Sequence, residues 1–390
     1  MRPESEAELS ELIRHTETAL QIRGGGTRGA FFPAGGAVLE TGGLSGVTLY
    51  EPAALTLVAR AGTPVAEIEA LLSEKNQRLA FEPMDHRTLL GTTGTPTIGG
   101  VVAANVSGPR RVQVGAARDF LLGVRFVDGE GHIIRNGGRV MKNVTGYDLV
   151  KLMAGSWGTL GVLSEVSLKV LAIPQAEATL VLRGQGADAC VADMCSALGT
   201  PYDVSGAVWI GPGVAGDAPE RRIRVEGLRG SVAYRIQRLA ETLPGDHSIV
   251  EGAESAALWQ QVRDVTPFAG QEAPLWRISV KPTDAPLLLA ALGRAGVAHK
   301  TICDWGGGLV WLMVEGASAR AGVVRAEVSA LGGHATLVRA PIAQREAVVM
   351  FHPQAAPLER IAAGLRARFD PRGILNPGLM GVAAIAEPAA

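Results

Sequence analysis

The stretch that most constrains this chain is Gly91-Thr92-Thr93-Gly94-Thr95-Pro96-Thr97-Ile98-Gly99-Gly100-Val101-Val102-Ala103-Ala104-Asn105-Val106-Ser107-Gly108. Five glycines, four threonines and a serine surround a short apolar run. Such a stretch buries little side-chain area but presents its backbone well. Glycine has no Cβ and tolerates φ > 0, so N–H groups can converge on an anion at close range. Threonine and serine hydroxyls add donors. One reading is a loop and helix start lying against a phosphate-bearing cofactor. The other is a glycine-rich turn between two strands.

Composition narrows the class. At 390 residues the chain is long enough for two domains. An apolar fraction of 47%, 50 glycines and 5% aromatics fit an α/β or α+β enzyme. A formal charge of −1 gives no electrostatic reason to expect a nucleic-acid partner. No apolar run reaches the length of a membrane span. The first ten residues carry Glu4, Glu6 and Glu8 and no apolar core of a signal peptide, so a cytoplasmic location is expected. Cys190, Cys195 and Cys303 form no C-x-x-C pair, and a cluster usually needs four thiolates. The expectation is buried thiols and no iron–sulfur cluster.

In chain order, residues 4–19 read as a helix and 19–23 as a strand running into Gly24-Gly25-Gly26-Thr27-Arg28-Gly29. The formal G-x-G-x-x-G is not a Rossmann loop, because that loop must open a helix. Here Phe31-Phe32-Pro33-Ala34-Gly35-Gly36 follows. A triple-glycine loop between strands can still wrap a pyrophosphate with its amides. No Walker G-K-[ST] is present. A strand over 54–60 leads to a helix with Thr63 as N-cap and Pro64 at its first position. Residues 121–135 read as a hairpin about Asp128-Gly129-Glu130-Gly131. A short helix within Gly146–Gly161 ends in a Gly-x-x-Gly-x-x-Gly turn, followed by a strand over 162–170.

Pro174 marks the first boundary. Beyond it the pattern resembles two β-α-β-β-α-β halves, a split-βαβ arrangement. The first is strand 178–183, helix 187–198, strands 204–210 and 221–226, and helix 231–243. The second is strand 275–281, helix 284–294, strands 297–303 and 308–315, helix 317–330 and strand 335–339. Residues 245–270 fit neither half. A helix over 358–368 then stops at Phe369-Asp370-Pro371-Arg372-Gly373-Ile374-Leu375-Asn376-Pro377-Gly378, a rigid irregular loop.

Four segments taken together carry a resemblance: Arg23-Gly24-Gly25-Gly26-Thr27, Thr97-Ile98-Gly99-Gly100, Gly158-Thr159-Leu160-Gly161 and the 369–378 tail. Their order and spacing resemble the FAD-binding fold of the vanillyl-alcohol oxidase and p-cresol methylhydroxylase type, over residues 1–173 and 350–380. The strings Ala103–Arg111 and Gly138–Asp148 are similar to those of FAD-binding subunits of bacterial glycolate oxidases. The resemblance implies an α+β architecture. Residues 1–173 form a two-subdomain FAD-binding domain and 174–345 a cap domain of split-βαβ, ferredoxin-like character. Residues 346–390 return to the FAD domain.

It also implies roles. Arg23, Gly24, Gly25, Gly26 and Thr27 would form the first pyrophosphate loop, with Gly94 beside it. Thr97, Ile98, Gly99, Gly100, Asn105, Ser107 and Gly108 would line the pyrophosphate and the inner flavin face. Gly158, Thr159, Leu160, Gly161 and Val162 would hold the adenosine side, and Asn376 would reach the ring. Covalent relatives attach the flavin through a histidine near these loops. Thr27 stands where one can occur, so non-covalent FAD is expected.

Related 2-hydroxy-acid dehydrogenases tend to hold a divalent metal with a His-x-His pair. None of His15, His86, His132, His247, His299, His334 and His352 forms one, so no metal is expected. Arg110 and Arg111 are candidates to bind a substrate carboxylate, or else an exposed pair for a surface or subunit contact. His334 and His352 are candidate bases, or structural histidines. No catalytic residue is assigned.

Two functions stay open. One is the FAD subunit of a multi-subunit glycolate dehydrogenase, oxidising a small 2-hydroxy acid and passing electrons to a partner. The other is an FAD-bearing or FAD-empty assembly subunit. The implied partners are a larger subunit with FAD and metal and an iron–sulfur subunit. Any membrane association would run through them.

Overall fold

In the computed structural model, residues 1–28, 36–139 and 146–381 are described. Phe31 to Gly35 and the Val140 to Thr145 part of the glycolate-oxidase-like string lie outside the described residues.

The N-terminal domain runs α1 (Glu6–His15), β1 (Leu20–Arg23), β2 (Ala37–Glu40), β3 (Val47–Glu51), β4 (Thr56–Arg60), α2 (Val65–Ser73) and β5 (Gln77–Arg78). Four short helices follow: α3 (Arg87–Leu90), α4 (Ile98–Ala103), α5 (Arg111–Val114) and α6 (Ala117–Phe120). Then come β6 (Leu121–Val127), β7 (Ile133–Gly137), α7 (Leu149–Met153), β8 (Val162–Lys169) and β9 (Leu171–Ala172).

Two subdomains result. In the first, β1 and β2 pair in parallel, and the tail joins them through a Leu20–Leu375 bridge. Leu9, Ile13, Leu20, Leu39, Val162, Ile374 and Leu375 form its core, so α1, the strand pair and the tail fold as one piece. The second is an antiparallel sheet in the order β3-β4-β8-β6-β7. It packs α2, α4 and α7 through Ile68, Leu72, Ile98, Val101, Met153, Val166 and Leu168. The first helix is shorter than its sequence suggests. The Ser5 side chain caps it by accepting from the Glu8 N–H, and Thr16 is already extended. Thr63 does not cap α2. Its hydroxyl instead donates to the Arg60 carbonyl (2.7 Å), and Pro64 takes the cap position.

The cap domain contains β10 (Ala176–Arg183), α8 (Ala187–Leu198), β11 (Val204–Ile210), β12 (Glu220–Gly227), α9 (Arg229–Thr242), β13 (His247–Glu251) and α10 (Gly252–Arg263). It continues through β14 (Leu275–Ser279), α11 (Ala285–Arg294), β15 (His299–Asp304), β16 (Leu309–Val314), α12 (Ala321–Ala330) and β17 (His334–Arg339). One eight-stranded sheet results, ordered β13-β10-β12-β11-β15-β16-β14-β17. Each half is a β-α-β-β-α-β unit, and the halves meet where β11 pairs β15 at Trp209–Cys303 and Ile210–Ile302. The unassigned 245–270 stretch supplies β13, the missing last strand of the first half, and α10.

Strand alternation splits the sheet into two faces. Val310, Leu312 and Val314 point to the core under α8, α9, α11 and α12, while Leu309, Trp311 and Met313 point to the other face. That second face is closed by Trp259 and Val262 of α10 and by Met84 and Leu89 of the N-terminal domain. The chain ends with α13 (Ile342–Ala347) and α14 (Ala356–Phe369), whose Leu365 and Phe369 pack back on the N-terminal sheet. Among the described residues no helix is long and apolar enough to cross a membrane.

Candidate functional site

Three glycine segments meet in the N-terminal domain. The Gly24–Thr27 loop leaves β1 and interlocks with the 94–97 turn. Thr95 N–H donates to the Gly25 carbonyl at 3.0 Å. A Cβ on Gly25 would sit 1.5 Å from the Thr95 carbonyl oxygen, and one on Gly94 would sit 1.8 Å from that of Gly25. Thr97 caps α4 by accepting from Gly100 N–H (3.3 Å), and Gly99 N–H donates to the Ala61 carbonyl (2.8 Å). The third segment turns at Trp157, whose φ of 52° is left-handed, and its N–H donates to Ala103 (2.9 Å). Together these frame a narrow cleft of about 90 Å³.

Of the residues expected there, Arg23, Gly24, Gly25, Gly26, Thr27, Thr97, Gly99, Gly100, Gly158 and Gly161 line the cleft. Asn105, Ser107 and Gly108 line the adjoining larger cavity instead. Ile98, Leu160 and Val162 are core side chains, Thr159 is buried with its hydroxyl on the Ser156 carbonyl, and Gly94 buttresses the first loop. Asn376 is a structural tie. Its Oδ1 accepts from Ile22 N–H (2.7 Å) and its Nδ2 donates to the Trp157 carbonyl (2.8 Å), joining tail, β1 and third segment.

The cleft suits a pyrophosphate. The backbone N–H groups of Gly24, Gly25, Gly26 and Thr27 meet no acceptor among the described residues. Thr27 is buried, Gly24 and Gly25 are half-buried and Gly26 is exposed, so these amides open on the cleft and can converge on an anion there. Arg28 closes one end. Its Nη1 donates to the Gly100 carbonyl (2.9 Å), its Nε is buried without a partner, and burial pushes its pKa down to about 10.

At Arg28, Ala104 and Trp157 the cleft gives onto a cavity of about 980 Å³ between the two domains. That is the upper end of the range for small-molecule sites. Arg277 of β14 and Arg111 of α5 both stack on the Trp305 ring, at 5.2 and 4.5 Å. Burial, and then the neighbouring Arg111 charge, lowers Arg277 to about 10. Asp304 is buried in the same wall, which raises its carboxyl to about 7, although the Trp305 N–H (2.7 Å) favours its ionised form.

Three histidines reach this cavity. His86 is held well below its ordinary pKa by burial and by Arg28. His352 Nδ1 accepts from Ala335 N–H (3.3 Å), so its neutral form carries the proton on Nε2, facing the Ser329 hydroxyl at 3.0 Å. The His334 side chain, at the exposed start of β17, has no hydrogen-bond partner among the described residues. Partial desolvation at the cavity, then Arg277, His352 and Arg111, lowers its pKa and favours the neutral imidazole.

Arg110 and Arg111 are not an exposed pair. Arg110 is 4% exposed and sits at the centre of a cross-domain ion cluster. Its Nε donates to Glu226 (2.7 Å), its Nη1 lies 2.9 Å from Glu82, and Arg224 donates to Glu82 at 3.0 and 3.1 Å. Arg78 adds a third cation on Glu226 (2.8 Å). A pair of adjacent arginines says nothing in sequence about carboxylates 28 and 116 residues away.

The sequence reading missed Arg28, Trp157, Arg277, Asp304 and Trp305. Arg28 adjoins the glycine loop, and Asp304-Trp305 precedes a triple glycine. Those neighbours are the local signals.

The same fold occurs in solved structures of other enzymes. The 4-ethylphenol oxidase from Gulosibacter chungangensis superposes with a TM-score of 0.68 over 98% of this chain and 88% of that one, at 13% identity. Alkyldihydroxyacetonephosphate synthase gives 0.67 over 97% and 76%, at 14% identity. The family profile described as an FAD binding domain matches residues 1–137. Fold and cleft therefore define an FAD-binding protein of the vanillyl-alcohol oxidase type, with non-covalent FAD as its cofactor.

Within that class the chain belongs to the family of glycolate oxidase subunit GlcE. It is 36% identical to that subunit of Escherichia coli (strain K12) over 374 residues, covering 93% of both chains. A shorter match, 41% over 93 residues, links it to glycolate oxidase subunit GlcD of Bacillus subtilis (strain 168). That match covers 24% of this chain and 20% of the other.

Proposed function

We propose that this chain is the FAD-bearing subunit of a glycolate-oxidase-type complex, and that it completes substrate oxidation only with a partner subunit. The observation that carries this is the glycine cleft, whose unpartnered amides suit a pyrophosphate. FAD, when bound, supplies a two-electron acceptor for a hydride. The chain's own residues do the rest. Gly24, Gly25, Gly26 and Thr27 offer amides to the pyrophosphate, and Thr97, Gly99, Gly100, Gly158 and Gly161 leave room for the backbone to approach. Ala104, Trp157 and the 105–108 loop line the cavity beside the cleft.

The partners in this reading are a larger subunit with FAD and metal, which handles the 2-hydroxy acid, and an iron–sulfur subunit that takes the electrons. The cysteine content and the absence of a His-x-His pair in the sequence support that division of labour. Contact with a membrane would run through those subunits. Co-expression tests it. The chain should co-purify with both partners and support electron flow from glycolate to a dye. Partners that form an active complex without this chain would contradict it.

A second reading has one specific observation behind it. Arg111, Arg277 and His334, whose imidazole is biased to its neutral form, all line one cavity. Two guanidinium groups suit a carboxylate, and an imidazole can take a hydroxyl proton. In that reading the chain oxidises a 2-hydroxy acid by itself.

A further inference from the structure

The loop after α4, residues 105–110, is held both by its own domain and by the cap. Gly108 N–H donates to the Phe81 carbonyl at 2.8 Å, and a Cβ on Gly108 would lie 2.5 Å from the Glu82 carbonyl oxygen. Arg110 N–H donates to the Glu82 carboxylate at 2.7 Å. Glu82 itself has a left-handed φ of 49°, uncommon for a residue with a side chain. Its carboxylate takes two donors from Arg224 of the cap strand β12. The Arg110 side chain crosses to Glu226 on the same strand, at 2.7 and 2.9 Å.

On the cavity side, Trp305 of the cap donates its indole N–H to the Gly108 carbonyl at 3.0 Å. Its ring carries Arg111 of the N-terminal domain and Arg277 of the cap. The loop is therefore pinned front and back by cap residues.

That loop walls the cavity that adjoins the cleft at Ala104 and Trp157. The cleft opens into that cavity at Arg28, Ala104 and Trp157, so a cofactor anchored by its pyrophosphate in the cleft has room to extend against residues 105–108.

We propose that Trp305, with Glu226 and Arg224 acting through Arg110 and Glu82, forms a cap-domain latch that positions the 105–110 loop and so sets FAD affinity. These are positioning residues. The cap is then part of the cofactor site, not only a cover for substrate. The proposal rests on FAD occupying the glycine cleft.

The test uses the full chain, stripped of flavin and retitrated with FAD. Trp305→Phe keeps an aromatic ring and deletes one N–H. Glu82→Gln keeps the shape and deletes the charge. Glu11→Gln, on the exposed face of α1, is the control. For each, the FAD dissociation constant, the visible flavin spectrum and the apo-protein Tm are measured.

Trp305→Phe should weaken FAD by about tenfold, the scale of one lost hydrogen bond, and shift the flavin bands while the apo Tm holds. Glu82→Gln should weaken it further, and the control should match wild type. Wild-type affinity and spectrum in Trp305→Phe would overturn the latch, whatever happens to Tm. If Glu82→Gln does not fold, Trp305→Phe decides alone. A wild-type chain that binds no FAD contradicts the cofactor reading itself and takes the latch with it.

Discussion

Gly25 and Gly94 owe their identity to each other. The Cβ directions of both point at the other segment's backbone and not into the cleft. A side chain at Gly25 forces the two loops apart, and one at Gly99 meets the Ala61 carbonyl at 2.7 Å. Gly25→Val should therefore lose both flavin and stability, by about 1–3 kcal/mol or more. Gly26 is different. Its φ is +74° and no atom lies within 4 Å of its Cβ direction, so Gly26→Ala should cost only about 1–2 kcal/mol of backbone strain. Thermal melts of the two apo variants separate the cases. Asp304 gives a pH prediction at the same scale. Its folded pKa is raised to about 7 from an ordinary 3.8. Folding then favours its protonated form, so its contribution is fully present below the ordinary 3.8 and is lost as pH rises from there to about 7. Asp304→Asn removes that loss, so its Tm advantage over wild type should widen from about pH 4 to 7 and level off above. A constant difference across that range would contradict the assignment.

Strand β12 shows what an element can hide. Its Arg221, Arg222, Arg224 and Glu226 are all buried, although the sequence pattern identifies only a strand. Arg224 bonds Glu82, Glu226 takes Arg110 and Arg78, and Arg222 donates to the Leu258 carbonyl. Nothing local in the sequence predicts those partners, because they lie on other elements. Glu226→Gln would leave Arg110, Arg78 and Arg224 short of charge, costing about 3–5 kcal/mol in chemical denaturation. Arg224 and Arg110 hold Glu226 below the usual carboxylate range despite burial, and they do the same for Glu82. Their contribution is present above the ordinary glutamate value of 4.5 and is lost as pH falls below it. Wild type should therefore lose stability in acid more steeply than Glu226→Gln. β13 stayed unassigned for a related reason. As a half-exposed edge strand it lacks clear alternation, and the buried face of α10 consists of only Ser255, Trp259 and Val262.

At the scale of the whole molecule, the order of glycine segments and the repeated β-α-β-β-α pattern were legible, because period and punctuation are local properties. The joining of the two halves through β11 and β15 into one sheet was not. Nor was the meeting of Arg28, Trp157, Arg277 and His334 around one cavity, since each comes from a different segment. The site is thus a product of domain packing, and that packing leaves its chemistry open to one decisive measurement. The purified, FAD-loaded chain is mixed with glycolate under anaerobic conditions and its visible spectrum is followed, alone and then with the partner subunits. Our account predicts a flavin that stays oxidised with the isolated chain and bleaches once the partners are added. Rapid bleaching by the isolated chain would contradict it and make this chain a self-sufficient dehydrogenase.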